Sequence, residues 1–153
     1  MTGKVAAVCT SKEKGVVKDP VEAVELRPQH GLVGDAHAGD WHRQVSLLAT
    51  ESIEKIRRVI PDLKDGAFDE NIVTEGVDLL SVGIGDRIIL GAGIELEVTQ
   101  IGKECHNACA IKEQTGDCVM PREGIFCKVL TGGTLKKGDP VRIPHPDRDF
   151  KLV

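Results

Sequence analysis

The chain has 153 residues, 41% of them hydrophobic, which is enough for one ordinary globular domain. Its net charge of −4 argues against bulk attraction to nucleic acid or to an anionic membrane. With no signal-peptide pattern and no apolar run near the roughly 18 residues of a membrane span, we expect a cytoplasmic domain over 1–153, with a core at about 3–143 and a loosely held tail.

The first half of the chain predicts three short strands and one helix. Strands are expected at 4–10, 21–28 and 45–49, the second because apolar and charged residues alternate along it. A dense loop, "QHGLVGDAHAGDWHRQ" at 29–44, separates the second and third strands. The many glycines of the chain, 17 in all, together with short apolar runs favour a strand-and-turn protein over a helical bundle.

The helix is predicted over 50–60, in "TESIEKIRRVI". Thr50 is the expected N-cap, and Ile53, Ile56 and Ile60 share one face of the helix. Pro61 is expected to end it.

The second half predicts more strands than helices. Runs at 87–91 and 94–102 flank Gly91-Ala92-Gly93 and predict a hairpin. An apolar run lies at 124–133, and a last strand is expected at the end of 135–143. Seven or so short strands without a βαβ rhythm favour a mainly β fold, a closed or partly open β-barrel with a few short helices.

Three of the five cysteines fall in "GKECHNACAIKEQTGDC", residues 102–118. An odd count without an export signal argues against paired disulfides. Cys105 opens a predicted helix, whose N–H groups and dipole would stabilise its thiolate, and Lys103 and His106 add positive charge beside it. Cys109 lies one turn later and could act as a resolving thiol.

Two other interpretations of the cysteines stay open. The four potential zinc ligands Cys105, His106, Cys109 and Cys118 lack the spacing of a common structural zinc site. Cys9 and Cys127 are expected to be small core residues.

The loop at 29–44 has two interpretations as well. Its polar side chains could bind a metal or could anchor one another; they are His30, Asp35, His37, Asp40 and His42. Arg43 directly precedes a strand and is a candidate for gripping an anion. If this loop meets the cysteine segment, five basic residues would make a positive cleft, and otherwise they lie on a solvated face; they are Arg43, Lys103, Lys112, Arg122 and Lys128.

Three motifs, taken in order, resemble one known family. They are "GLVGDAHAG" with "HRQVSLL", then "FDENIVTEGVDLLSVGIGDRIILG", then "GKECHNACAIKEQTGDCVMPREGIFCKVLTGGTLKKGD". Over about residues 3–143 the chain resembles the small standalone members of the MOSC domain family, named for the C-terminal domain of molybdenum-cofactor sulfurase.

The resemblance implies a barrel-like fold and a link to molybdenum-cofactor chemistry. Its hallmark cysteine falls on Cys105, which could carry sulfur as a persulfide, helped by Cys109 or Cys118, or could bind the metal. The candidate cofactor-binding residues are Gly34, Asp35, His37, His42, Arg43, Lys103, His106 and Arg122. The chain lacks a domain that mobilises sulfur, so the implied partners are a cysteine desulfurase or other sulfur donor and a molybdoenzyme or cofactor-synthesis protein.

Three functions are therefore carried forward. The first is a sulfur carrier or cofactor-handling protein with a reactive Cys105 in a basic pocket. The second is a molybdenum-cofactor binding or storage protein in which Cys105 is a metal ligand and no sulfur moves. The third is a zinc-binding structural or interaction module.

Overall fold

The protein is mainly β in a computed structural model that describes residues 2–14, 16–102 and 119–144. The strands of this part of the chain are β1 (Thr2–Thr10), β2 (Asp19–Val21), β3 (Ala23–Arg27), β4 (Gly31–Leu32), β5 (Val45–Ala49), β6 (Ile72–Glu75), β7 (Arg87–Leu90), β8 (Ile94–Ile101), β9 (Ile125–Thr131), β10 (Gly133–Lys136) and β11 (Pro140–Arg142). The helices are α1 (Thr50–Arg57), the one-turn α2 (Met120–Glu123) and a 3₁₀ turn at Leu79–Ser81.

Seven of the strands close into a barrel. Neighbouring strands follow the order β11-β7-β8-β9-β5-β6-β1, and β1 pairs with β11 to complete the ring. The pairs are antiparallel except β5–β6, which is parallel. β2 pairs with the end of β1, and β10, β3 and β4 form a separate small sheet. The predicted barrel is confirmed, in its closed form.

Two apolar clusters hold the fold together. One fills the barrel, and the other lies between the barrel wall, α1 and α2. β5 is buried along its whole length because Leu47 packs into the first cluster and Leu48 into the second. Side chains at its N-terminal end are consequently fixed by packing on both faces.

Helix α1 is shorter than predicted and begins differently. It ends at Arg57, and the chain leaves it through a turn in which the Ile60 N–H donates to the Ile56 carbonyl. The expected Thr50 cap is wrong, because Ala49 occupies the N-cap position and no side chain caps the helix. The Glu51 carboxylate instead accepts the Gly76 N–H at 2.9 Å, which ties the first turn to the end of β6.

One predicted strand is divided in two, because the run at 21–28 separates into β2 and β3. The last strand, predicted at the end of 135–143, is confirmed as β11, and β10 before it was not predicted. Between β10 and β11 the Lys136 N–H donates to the Asp139 carboxylate at 3.0 Å, closing a turn. The predicted hairpin at Gly91-Ala92-Gly93 is confirmed by the pairing of β7 with β8.

None of the helices that the structure describes is long and apolar enough to cross a lipid bilayer.

Candidate functional site

A cleft of about 160 Å³ opens where β5 begins. Three parts of the chain build it: the loop before β5, the segment before β6, and the α2–β9 region. Its lining residues are His37, Trp41, Arg43, Ser46, Asp69, Asn71, Met120 and Phe126. It thus brings together two of the predicted site residues, His37 and Arg43.

Arg43 is held between two aromatic rings. Its guanidinium carbon lies 4.7 Å from the Trp41 ring centroid and 5.7 Å from that of Phe126. Stacking of this kind fixes the plane of the guanidinium and lowers the entropy lost when it binds. Its Nε is buried and has no hydrogen-bond partner among the described residues. Arg43 is therefore an oriented cation with an unused donor.

A buried ion pair stabilises the loop at 29–44. The Lys18 side chain is fully buried, and its Nζ donates to Asp35 Oδ1 at 2.9 Å and to Ser11 Oγ at 3.1 Å. It also lies 3.5 Å from Asp69 Oδ1. A charged lysine is seldom buried without such partners, because desolvation of the ammonium is costly.

Asp35 serves the loop and does not face the cleft. Besides Lys18, its carboxylate accepts the backbone N–H groups of Ser11 at 3.1 Å and His37 at 3.0 Å. Burial alone would raise the pKa of Asp35, but these hydrogen bonds favour its ionised form and hold the pKa below its ordinary value. Of the two interpretations of the polar loop, metal binding or mutual anchoring, anchoring therefore applies to Asp35.

His37 joins the buried pair to the cleft. Its Nδ1 lies 3.1 Å from Lys18 Nζ, and its Nε2 lies 3.6 Å from Asp69 Oδ2. Its carbonyl accepts the Trp41 indole N–H at 2.9 Å. The ring is thereby held from two sides, and the backbone of His37 is tied to the Trp41 indole.

Asp69 reaches the cleft from a strained turn. Its φ of 70° is left-handed, a conformation that aspartate tolerates better than most residues. Glu70 locks the turn by accepting the N–H groups of Gly66 at 2.8 Å and Phe68 at 2.9 Å. Burial raises the pKa of Glu70 to about 7, although these donors oppose the shift.

Ser46 and Asn71 form a fixed floor. The Ser46 N–H and hydroxyl both donate to Asn71 Oδ1, at 3.0 and 3.2 Å. The Asn71 amide donates to the Cys9 carbonyl at 3.2 Å. Because these polar groups bond mainly to one another, they shape the cleft.

The described part of the site is balanced in charge. Two cations, Arg43 and Lys18, lie beside two carboxylates, Asp35 and Asp69. Lys128, expected in a positive cleft, lines a different groove and lies 3.6 Å from Glu97 Oε1. Lys112 lies outside the described residues.

The remaining predicted cofactor residues are spread around this end of the barrel. His42 is exposed, and its Nε2 lies 2.9 Å from Gln100 Oε1. It lines a second groove of about 350 Å³ that Trp41 separates from the cleft. Gly34 is exposed at φ 87°, and Arg122 is exposed on α2.

Five predicted site residues lie outside the described residues: Lys103, Cys105, His106, Cys109 and Cys118. Their segment leaves from Gly102 and returns at Val119. The Gly102 N–H donates to the Gly124 carbonyl at 2.7 Å, and Met120, just after the return, lines the cleft. Both ends of the segment are thus anchored beside the cleft.

Cys9 and Cys127 are core residues, as predicted. Both thiols are free and fully buried. Burial, together with the charge of nearby Glu70, raises the pKa of Cys9 to about 12. Burial also raises the pKa of Cys127. Neither thiol is a candidate nucleophile.

No group of three or more His, Cys, Asp or Glu side chains with metal-site geometry occurs within 2–14, 16–102 and 119–144. The proposed zinc ligands lie outside these ranges, so the zinc hypothesis stays a prediction.

Sequence reasoning missed Lys18 and Asp69. Lys18 stands in a polar run, "KEKGVVKDP", which is typical of a solvated turn, and Asp69 stands in "FDEN" with nothing that marks it as a cleft residue. Their roles depend on contacts between distant segments, since Lys18 meets Asp35 and Asp69 only in the folded chain.

Comparison with known proteins identifies the family. The model of the MOSC domain matches residues 34–142. A search of curated proteins gave no match.

Solved structures share the fold. The YuaD protein from Bacillus subtilis is 21% identical, covers 92% of this chain and 94% of its own, and has a TM-score of 0.76. YiiM from Geobacillus stearothermophilus is 18% identical, with coverage of 94% and 75% and a TM-score of 0.66. YiiM from Escherichia coli is 20% identical, with coverage of 95% and 70% and a TM-score of 0.66. The chain belongs to the MOSC domain family, which is associated with molybdenum-cofactor biology.

Proposed function

We propose that this protein is a sulfur carrier of molybdenum-cofactor chemistry, with Cys105 as the carrying thiol. The observation that carries the proposal is the position of the cleft. It lies beside both anchored ends of the segment that contains Cys105, and it is lined by Arg43, whose guanidinium is oriented by Trp41 and Phe126. A reactive thiol and a fixed cation are the groups that such a carrier needs.

The chemical step is an exchange of sulfane sulfur. The Cys105 thiolate attacks the terminal sulfur of a persulfide on a cysteine desulfurase. A bond forms between that sulfur and Cys105 Sγ, the donor's S–S bond breaks, and the donor cysteine leaves as a thiolate. No external oxidant or reductant is required, because the sulfane sulfur keeps its oxidation state. In a second step, the thiolate of Cys109 or Cys118 would attack Cys105 Sγ. A disulfide with Cys105 forms, the S–S bond of the persulfide breaks and the terminal sulfur leaves as hydrosulfide, and an external thiol is then needed to reduce the disulfide.

The residues of the cleft fit one anionic group of a molybdenum cofactor, which is here the acceptor substrate. Arg43 would hold that group, with Arg122 nearby on α2, and the cofactor would supply the metal centre that accepts sulfur. The cleft is smaller than the roughly 300 Å³ at which typical ligand pockets begin. A phosphate or a single ring is therefore the part of the ligand that we expect inside it.

The alternative in the same family is binding without sulfur transfer, with Cys105 as a soft ligand to the metal. Both functions use Arg43 in the same way. They differ in whether Cys105 acquires sulfur.

Incubation with a cysteine desulfurase and cysteine, followed by mass spectrometry of non-reduced peptides, tests the proposal. Cys105 is expected to gain the mass of one sulfur atom, about 32 Da. Cys105→Ser should abolish the gain, and Cys127→Ser is the matched control because that thiol is buried in the barrel. An unmodified Cys105 in the presence of an active desulfurase would contradict sulfur transfer and favour the binding function.

A further inference from the structure

The three ammonium hydrogens of Lys18 can be assigned to three acceptors. Lys18 Nζ lies 2.9 Å from Asp35 Oδ1, 3.1 Å from Ser11 Oγ and 3.1 Å from His37 Nδ1. An ammonium group has three N–H donors and no lone pair. Each of these three contacts is within hydrogen-bond distance, so every N–H of the ammonium has an acceptor.

The ionised form of Lys18 follows from its surroundings. The Asp35 carboxylate contacts it directly, and Asp69 Oδ1 lies 3.5 Å away. Two carboxylates beside a fully buried amine favour the ammonium. Asp35 is itself held ionised by two backbone N–H groups, which removes it as an alternative holder of the proton.

A bound ammonium dictates the form of the imidazole. Because Lys18 can only donate, His37 Nδ1 must accept and carries no proton. A neutral imidazole with a bare Nδ1 has its proton on Nε2. That nitrogen is on the side of Asp69, another residue of the cleft lining.

We propose that Lys18 is a positioning residue that locks His37 as a neutral ring with its proton on Nε2, so that His37 acts in the cleft as a hydrogen-bond donor and not as a base. The proposal deepens the proposed function and rests on it for the ligand. A group that meets His37 Nε2 must accept a hydrogen bond, which selects an oxygen or sulfur atom with a lone pair directed at the ring. If chemistry in the cleft requires a proton acceptor, Asp69 is the carboxylate in the described lining that can take that role.

The tautomer is measured directly by nitrogen NMR of ¹⁵N-histidine-labelled protein. Wild-type His37 is expected to show a protonated Nε2 and a bare Nδ1. Lys18→Met removes the donor and should give a mixture of tautomers or a doubly protonated ring. Lys64→Met is the control, because Lys64 is an exposed lysine whose partner is Asp19.

Lys18→Met leaves Asp35 buried without its cation and can prevent folding. The double variant Lys18→Met/Asp35→Asn removes both charges together. It too should lose the single Nε2–H tautomer while keeping the signals of a folded barrel.

Two substitutions of His37 distinguish a role as hydrogen-bond donor from a role as general base. Glutamine offers an oxygen to Lys18 and an N–H to the cleft but cannot take up a proton, whereas leucine offers neither. Persulfide loading of Cys105 should stay within about threefold of wild type in His37→Gln and fall at least about tenfold in His37→Leu. Equal losses in both variants would mean that His37 is a base and would overturn the inference.

The two proposals fail in different experiments. Absence of persulfide on wild-type Cys105 removes the proposed function but leaves the tautomer measurable. A wild-type His37 with its proton on Nδ1, or with both nitrogens protonated, overturns the positioning role of Lys18 whatever Cys105 carries.

Discussion

Arg43 is the residue of the described cleft on which ligand binding most depends. Its charge, its planar fork and its place between Trp41 and Phe126 act together. Arg43→Lys keeps the charge but loses the fork and the stacking, so we expect affinity for molybdenum cofactor to fall about tenfold, equivalent to roughly 1.4 kcal/mol. Titration of the purified protein with molybdenum cofactor measures the change.

The control for Arg43 is Arg58→Met, which removes an exposed arginine just after α1. This variant should bind the cofactor with wild-type affinity. If Arg43→Lys also binds with that affinity, the cleft needs only a positive charge, and the stacked geometry has no functional role.

Glu70 makes stability depend on pH in a definite direction. Burial raises its folded-state pKa to about 7, above the ordinary value of 4.5. The folded state therefore binds this proton more tightly than the unfolded state. The contribution is fully present below about pH 4.5 and is lost as pH rises through about 7, by roughly 3 kcal/mol at most.

Urea unfolding at pH 5 and pH 8 measures this effect. The wild-type protein should be less stable at pH 8, and Glu70→Gln should remove most of the difference. An equal or larger pH dependence in Glu70→Gln would assign it to other groups. Asp35 is a weak competitor in this window because its pKa is lowered, so its stabilisation is lost only in more acidic solution.

At the scale of elements, the turn before β6 holds Asp69 in place by close backbone packing. Gly66 has φ 94°, and a Cβ atom there would collide with the Lys18 carbonyl oxygen. The Lys18 N–H also donates to the Gly66 carbonyl at 3.0 Å. Gly66→Ala therefore combines backbone strain with a steric clash.

Gly85 provides a matched control, since its φ is 93° but nothing lies within 4 Å of the position that an added methyl group would take. Gly85→Ala should cost about 1 kcal/mol of unfolding free energy, from backbone strain alone. Gly66→Ala should cost at least about 2 kcal/mol more, because the backbone must move. Chemical denaturation of both variants measures the difference, and equal losses would show that the close contact is relieved without cost.

The elements were largely predictable from the sequence because their signals are local. Alternation of apolar and charged residues indicated β3, whose Val24 and Leu26 are buried, and the paired glycines indicated the β7–β8 hairpin. Breaks inside a run were less visible, as the division of 21–28 into β2 and β3 shows. Strand β10 was missed, because a strand was expected only at the end of 135–143.

The site was only partly predictable, for a physical reason. Arg43 and His37 stood out because a polar loop led directly into an apolar strand. Lys18 reads as a solvated turn residue, and only its partners from two other loops explain why it is fully buried. Burial of a charge is decided by tertiary contacts, and these cannot be read from a single sequence.

At the scale of the whole molecule, the cysteines fall into two groups according to where they lie in the fold and in the chain. Cys9 and Cys127 lie within the two apolar clusters with their thiols fully buried. Cys105, Cys109 and Cys118 belong to the segment between Gly102 and Val119, whose ends are anchored beside the Arg43 cleft. The proposed function requires that the reactive thiol come from this second group.

The most direct test is the rate of alkylation of each cysteine by iodoacetamide near neutral pH, read by peptide mass spectrometry. Cys105 is expected to react first, with an apparent pKa below the roughly 8.5 of a free thiol, while Cys9 and Cys127 stay unmodified until the protein unfolds. Equal rates for Cys105, Cys109 and Cys118 with an ordinary thiol pKa, or an earlier reaction at a buried cysteine, would contradict the account.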